Sequence, residues 1–598
     1  MLYPVENEIR QVKVLNGIWK FKKESRQGQG AQEKWYEKPL TDYIEMPVPS
    51  SYNDITTDKE IRDHVGWVWY EREFFIPTDW QDKRMVLRFG SVTHHAIVYI
   101  NGKEITRHKG GFMPFEAELG GYVSTGKNRL TVAVSNMLDH DCLPFGVIED
   151  AKADLFPIND PESPALKIFP EGQKKQVYQF DFFNYSGIHR PVKIYTTPKT
   201  YIKDITVKTD ISGEDGIVDY SIQIQGDATE FKVKLIDEDG KCVGESTENT
   251  DRIIVEKAHF WNVRAAYLYE LEIFAGEDHY TLPIGIRTIK VTDKQFLVNG
   301  KPVYFKGFGK HEDSDIKGKG LDEALNVRDF ELLKWLNANS FRTSHYPYSE
   351  EIMQMADRQG FLVIDEVPSV GMHFWGPEDE AVFRDGFVDN ETLKHHKDVL
   401  TELYERDKNH PCVVMWCVAN EAKTDDEKAV PYFTEVVKHI RELDNTRPIV
   451  NVLERPVMLD KVTHLFDVIC INRYFSWYYD RGNLKSIYPK LTAEFNAWHE
   501  KYNKPVMITE YGADTIAGMH KLPETIFSEE YQIEYYKETN RALDSCDFVI
   551  GEHPWAFADF MTSFGLTRFD GNKKGIFTRQ RQPKSIAFVL KERWAKKV

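Results

Sequence analysis

Val413-Val414-Met415-Trp416-Cys417-Val418-Ala419-Asn420-Glu421 is an apolar run that ends abruptly in an amide and a carboxylate. A strand buried on both faces is apolar along its length. Polar groups collect at its C-terminal tip when that tip opens on a ligand site. Pro505-Val506-Met507-Ile508-Thr509-Glu510-Tyr511-Gly512 repeats the shape, with Glu510 at its end. Two such carboxylates are what cleavage of a glycosidic bond in a (β/α)8 barrel requires. One protonates the departing oxygen and the other attacks or stabilises the anomeric carbon. Either Glu alone reads equally well as a helix N-cap or a loop charge; the matched pair favours chemistry.

Outward from these runs, strand-like and helical stretches alternate. Strands are expected at 303–309, 340–344, 361–367, 413–420, 449–453, 468–475, 506–511 and 548–557. Amphipathic stretches at 329–336, 391–407, 431–443 and 529–543 lie between several of them, and a last helix at 584–594 closes the chain. This alternation predicts one (β/α)8 TIM barrel over residues 289–598. Strands four and seven stand on nearly opposite sides of such a barrel. Glu421 and Glu510 would then approach the separation of about 5 Å typical of a retaining glycosidase.

The chain before the barrel reads as all-β. Val86-Leu87-Arg88-Phe89, His95-Ala96-Ile97-Val98-Tyr99-Ile100 and Leu130-Thr131-Val132-Ala133-Val134 are short strands. Asn101-Gly102 marks a hairpin, because both residues accept positive φ. Residues 1–196 are expected to form a jelly-roll β-sandwich. Residues 197–288 continue the pattern, with turns expected at Asp215-Gly216 and Asp239-Gly240 and a strand from Phe231 to Ile236. That length and rhythm predict an immunoglobulin-like β-sandwich.

With 598 residues, 41% hydrophobic and 29% charged, the chain can bury several cores. Its net charge of −17 and the lack of a Lys/Arg cluster argue against a nucleic-acid partner. An anionic substrate would therefore need a local positive site. Cys142, Cys242, Cys412, Cys417, Cys470 and Cys546 are irregularly spaced and read as reduced thiols. The N-terminal residues lack a signal-peptide pattern, and no apolar stretch approaches a membrane span. A cytoplasmic protein without membrane contact is expected.

Cys417-Val418-Ala419-Asn420-Glu421 and Ile508-Thr509-Glu510-Tyr511-Gly512 resemble the acid/base and nucleophile signatures of glycoside hydrolase family 2. The likeness extends over the whole chain. Asn184-Tyr185-Ser186-Gly187-Ile188-His189-Arg190-Pro191 resembles the signature late in the family's sugar-binding-like jelly roll. Residues 296–302 and 306–312 resemble its approach to the barrel, and 339–347 its second strand. The resemblance implies Glu421 as general acid/base and Glu510 as nucleophile. It also implies Asn420 on the sugar 2-hydroxyl, Tyr474 holding the nucleophile, and Tyr478 close by. Trp477 reads as packing. Asp181 would reach a sugar hydroxyl from the jelly roll, His345 would sit at the barrel mouth, and Trp555 would stack on the sugar. A core Trp and a structural His remain open alternatives. His311, Glu312 and Asp313 read as a structural network, since their spacing does not suit zinc. No metal and no cofactor are expected.

Within the family the likeness is nearest to bacterial members acting on β-D-glucuronides. Arg568-Phe569-Asp570-Gly571-Asn572-Lys573-Lys574-Gly575 carries the resemblance, with Asn572 and Lys574 expected to bind the sugar carboxylate and Arg568 beside them. An ammonium with an amide donor discriminates a uronate from a hydroxymethyl group. Alone, the segment would be an ordinary solvated turn. The expected substrates are small glucuronides or glucuronate-terminated oligosaccharides. β-Galacturonides or β-galactosides on the same scaffold are the alternative, and a non-catalytic sugar binder is the rival of another class. Residues 370–389, with Met372, His373, Phe374, Trp375, Phe383 and Phe387, read as an exposed aromatic loop at the aglycone side, with packing against the barrel or a neighbouring subunit as the alternative. A homo-oligomer, such as the tetramers of relatives, is expected by analogy.

Overall fold

The structure, a computed structural model, describes residues 1–150, 174–227, 230–373, 381–565 and 567–597. Eight parallel strands close into a barrel: β1 (Phe305–Gly309), β2 (Ser340–Arg342), β3 (Leu362–Glu366), β4 (Val413–Asn420), β5 (Ile449–Leu453), β6 (Ile469–Asn472), β7 (Val506–Glu510) and β8 (Val549–Glu552). Every residue of β4 is buried, as expected for a strand covered on both faces. Among the described residues the barrel carries helices α1 (Glu323–Trp335), α2 (Glu350–Gln359), α3 (Asn390–Asp407), α4 (Ala429–Leu443), α5 (Ile487–Tyr502), α6 (Glu529–Asp544) and α7 (Ser585–Lys596).

Local chemistry sets the helix ends. Asp322, Ser349, Asp389 and Ser528 accept backbone N–H groups as N-caps, and Asp389 forms a full capping box with Thr392. α2 stops at Gly360, whose φ of 68° is open to glycine at little cost. α2 and α5 belong to the expected βα repeat but are not among the stretches named from the sequence. α1 begins well before the amphipathic stretch at 329–336. Between β5 and β6 a 3-10 turn, Thr463–Leu465, stands where a helix of the repeat would be.

Two sheets form the N-terminal sandwich. One has six strands, in the order Ile44–Val48, Gly17–Lys23, Trp67–Ile76, Gly126–Ser135, His95–Ile100, Lys103–Lys109. The other has four, in the order Val12–Val14, Val192–Thr197, Arg84–Phe89, Phe115–Glu118. Trp19, Phe21, Tyr70, Leu87, Val98 and Ile194 fill the space between them. The second sandwich packs sheets of three and four strands around Ile205, Val218, Leu235 and Ile273. Its turn falls at Gly213-Glu214, not at Asp215-Gly216, and the strand runs Asp215–Gln225. All six cysteines are free thiols, and Cys242 alone of them is exposed.

In the loop after β3, the described residues follow the packing alternative. Met372 and Phe383 are buried, and Phe383 packs on Tyr432 and Phe433. Phe387 lies against Phe145. These aromatics serve the fold and are not an exposed aglycone surface. Phe374 and Trp375 lie outside the described residues.

Candidate active site

The tips of β4 and β7 open into one cavity of about 1130 Å³. Glu421, Glu510 and Asn420 line it from the barrel, with His345, Tyr474 and Trp555. Asp181, Tyr478 and Arg568 complete the wall at the jelly-roll side. A cavity of that size holds a hexuronate together with part of an aglycone.

The two carboxylates sit in different surroundings. Glu510 is 4% exposed and touched from three sides. Arg342 Nη2 donates to its Oε1, Tyr474 Oη donates to its Oε2 at 2.7 Å, and His345 Nε2 lies 3.8 Å from Oε1. Arg342 is itself fixed by Glu366, 2.5 Å from Nη1, and His345 Nδ1 lies 2.8 Å from the same carboxylate. Burial and the charge of Glu421 push the Glu510 carboxyl up, and Arg342, His345 and Tyr474 oppose them. The guanidinium in direct contact makes Glu510 the member of the pair better able to hold a negative charge.

Among the described residues, no cation pairs with Glu421. Asn472 Nδ2 donates to its Oε1 at 2.7 Å, and Thr509 Oγ1 fixes that amide by donating to Asn472 Oδ1 at 2.9 Å. Burial, then the nearby charge of Glu454, pushes the Glu421 carboxyl up to about 7. Its backbone adopts φ 53°, a left-handed conformation that disfavours a side chain. Two bonds hold it there: its N–H donates to Val452 O at 2.8 Å, and His373 Nδ1 donates to its carbonyl at 2.6 Å. Asn420 Oδ1 is approached by Arg342 Nη1 at 3.4 Å and Asn472 Nδ2 at 3.3 Å, so its own N–H groups are the ones presented to a ligand.

Trp555 and His345 stack, with ring centroids 5.0 Å apart. Gly309 and Gly512 make room for this tryptophan. A Cβ on Gly309 would stand 2.6 Å from Trp555 Cε3, and one on Gly512 would stand 2.4 Å from Trp555 O. Trp477 is buried edge-on to Phe527.

Asn572 and Lys574 do not open onto the cavity surface as Arg568 does. Both are 0% exposed, and each touches a residue that lines the cavity, Asn572 on Asp181 and Lys574 beside Tyr478. Asn572 Nδ2 donates to Asp181 Oδ2 at 2.7 Å, and Arg568 Nε donates to Asp181 Oδ1 at 2.8 Å. Arg568 Nη2 donates to Tyr478 Oη at 2.8 Å. Lys574 Nζ pairs with Asp514 Oδ2 at 2.5 Å. Two cations, Arg568 and Lys574, are thus matched by two carboxylates, Asp181 and Asp514. The local positive site expected for an anionic substrate is formally neutral in itself.

Sequence reasoning missed Arg342, Glu366, Asn472, Glu454 and Asp514. Arg342 and Asp514 lie within five residues of positions singled out by motif, at the tip of β2 and just past β7. Their partners are distant in sequence, and nothing local signals them.

Three family models match in series: glycosyl hydrolases family 2, sugar binding domain, over residues 12–198; glycosyl hydrolases family 2 over 200–287; and its TIM barrel domain over 289–598. The chain belongs to glycosyl hydrolase family 2 and is a glycoside hydrolase. It is 50% identical to a β-glucuronidase of Paenibacillus borealis over 99% of this chain and 98% of that protein. It is 45% identical to the β-glucuronidase of Homo sapiens, over 100% and 92%. Among solved structures, an uncultured Clostridium sp. β-glucuronidase superposes with a TM-score of 0.94 at 60% identity, covering 100% of both chains. A Ruminococcus gnavus β-glucuronidase in complex with D-glucuronic acid superposes with a TM-score of 0.91 at 41% identity, covering 99% of each. Among the described residues no helix is long and apolar enough to cross a membrane.

Proposed function

We propose that this chain hydrolyses terminal β-D-glucuronides to D-glucuronate and an aglycone, with retention of configuration at the anomeric carbon. Glu510 attacks that carbon while Glu421 delivers a proton to the aglycone oxygen. Water, deprotonated by Glu421, then releases the sugar from Glu510. Asn420 donates to the 2-hydroxyl, a bond that tightens as positive charge builds on the ring. Tyr474 orients the nucleophile, and Trp555 with His345 forms a shelf for the sugar face. Asp181 meets a sugar hydroxyl, and Tyr478, Arg568, Asn572 and Lys574 recognise the uronate.

One observation supports the reading most: a guanidinium-paired carboxylate and a carboxyl pushed up to about 7 face one cavity. That is the division of labour between nucleophile and acid. Turnover of p-nitrophenyl β-D-glucuronide, β-D-galacturonide and β-D-galactoside in one assay tests it. Glucuronide should dominate; preference for either galacto-configured substrate would contradict it. The reading extends to small glucuronides and glucuronate-terminated oligosaccharides as substrates, a homo-oligomeric state, no bound cofactor and a cytoplasmic site of action. Sedimentation and cell fractionation would check the state and the location.

A further inference from the structure

We infer that Asp514 is a positioning residue for uronate recognition, fixing the Lys574 ammonium at the one place from which it discriminates a uronide from a neutral sugar. The inference rests on the reading of Lys574 given above.

Asp514 lies four residues beyond Glu510, in the loop that follows β7. It is 3% exposed, and each of its oxygens is engaged. Oδ1 accepts the backbone N–H of Lys573 at 2.8 Å, and Oδ2 accepts Lys574 Nζ at 2.5 Å. Arg568 Nη1 lies 3.5 Å from Oδ2. One carboxylate therefore anchors the main chain of this segment and the charged end of its lysine. The ring centroids of Tyr478, Trp477 and Tyr474 also lie 5.0, 5.4 and 5.8 Å from the same ammonium. An ammonium is a compact charge on a flexible stem, and its direction has to be imposed. Here the Asp514 carboxylate imposes it.

The two carboxylates of the cluster are not equivalent. The Asp181 side chain is 39% exposed, and its hydrogen bonds run to Arg568 and Asn572. It can share those donors with an incoming carboxylate. Asp514 is buried and tied to backbone, so it stays with Lys574 when the substrate arrives. Burial works against its charge, yet Lys574 and Arg568 hold its carboxyl below the usual range. Selectivity then comes from where the ammonium is held, and not from an excess of positive charge.

The test compares D514N, K574A and D514N/K574A on p-nitrophenyl β-D-glucuronide and β-D-glucoside. Asn keeps an acceptor for the Lys573 N–H but loses the charge that holds Lys574. D514N should raise KM for the glucuronide by about tenfold or more, the size of a lost charge-assisted contact, with kcat and glucoside turnover changed far less. K574A should shift the ratio of kcat/KM values in the same direction, and the double variant should match K574A. The double variant leaves no lysine charge unpaired and keeps the comparison readable if D514N does not fold. An equal loss on both substrates in D514N, or a double variant well below K574A, would overturn the role of Asp514 alone. An unchanged ratio in K574A would overturn the lysine clamp itself, and this inference with it.

Discussion

A carboxylic acid that must give up a proton near neutral pH has to be kept from ionising too early, and Glu421 is kept so by burial and by the charge of Glu454. The direction of the consequence is fixed. Glycosyl transfer to Glu510 needs Glu421 protonated, so kcat/KM should fall as pH rises through about 7. Removing the neighbouring charge by Glu454→Gln should move that descending limb to lower pH. A pH–rate profile of both proteins checks it, and an unmoved limb would remove Glu454 from the account. The shift also bears on stability. Folded Glu421 keeps a proton that the unfolded residue loses from about 4.5 upward, so its contribution to stability is lost as pH rises from there to about 7. At this scale the sequence singled out Glu421 and Glu510, because each ends an apolar run. It did not show what sets them apart. Arg342, Asn472 and Glu454 reach the site from the tips of β2, β6 and β5, and only the closing of the barrel brings them to the two acids.

Each strand tip delivers one or two side chains, and the backbone around the tips has to allow it. Gly309 at the end of β1 illustrates the requirement. Gly309→Ala would drive a methyl to 2.6 Å from Trp555 Cε3, so the ring would have to shift on the wall of the cavity it lines. Overpacking of this kind costs about 1–3 kcal/mol. The variant should melt lower and show a raised KM for the glucuronide; unchanged kinetics would mean that Trp555 does not contact the sugar. A strand such as β4 was legible because a strand covered on both faces is continuously apolar, whereas β1 and β2 carry Lys306, Ser340 and Arg342 and were marked by motif instead. Helices were less legible. α2 and α5 were not singled out, although their buried apolar residues recur at helical spacing: Ile352, Met353 and Ala356 in α2, and Ile487, Leu491, Phe495 and Trp498 in α5. The loop at 370–389 left exposure and packing both open, because aromatics in a long connection suit either; Phe383 packs on α4.

In the whole molecule the cavity is closed only when the jelly roll sits on the barrel, since Asp181 comes from outside the barrel and meets Arg568 and Asn572 within it. Buried ion pairs hold that junction. Arg88 Nη2 donates to both oxygens of Glu350 at 2.8 and 2.9 Å. Arg190 donates to Glu312 Oε2 at 3.1 Å and to the carbonyls of Phe112 and Pro347, both at 2.6 Å. Arg190→Ala leaves Glu312 without this partner and should cost about 3–5 kcal/mol. Its melting temperature should drop, and KM for the glucuronide should rise as Asp181 loses its position. A lower melt with unchanged KM would show that the junction supports the fold but not the site. Arg190 lies in the motif Asn184–Pro191, which the sequence marks only as part of the jelly roll; its partners in the barrel could not be read there.

The central claim is that Glu510 forms a bond to the sugar while Glu421 manages the proton. Incubation with 2-deoxy-2-fluoro-β-D-glucuronosyl fluoride, whose fluorine slows release of the sugar from the enzyme, tests it most directly. Intact mass and peptide mapping should find one fluoroglucuronosyl group on the peptide carrying Glu510, with loss of activity in step with labelling. A label on any other carboxylate, or hydrolysis that inverts the anomeric centre with no label at all, would contradict the account.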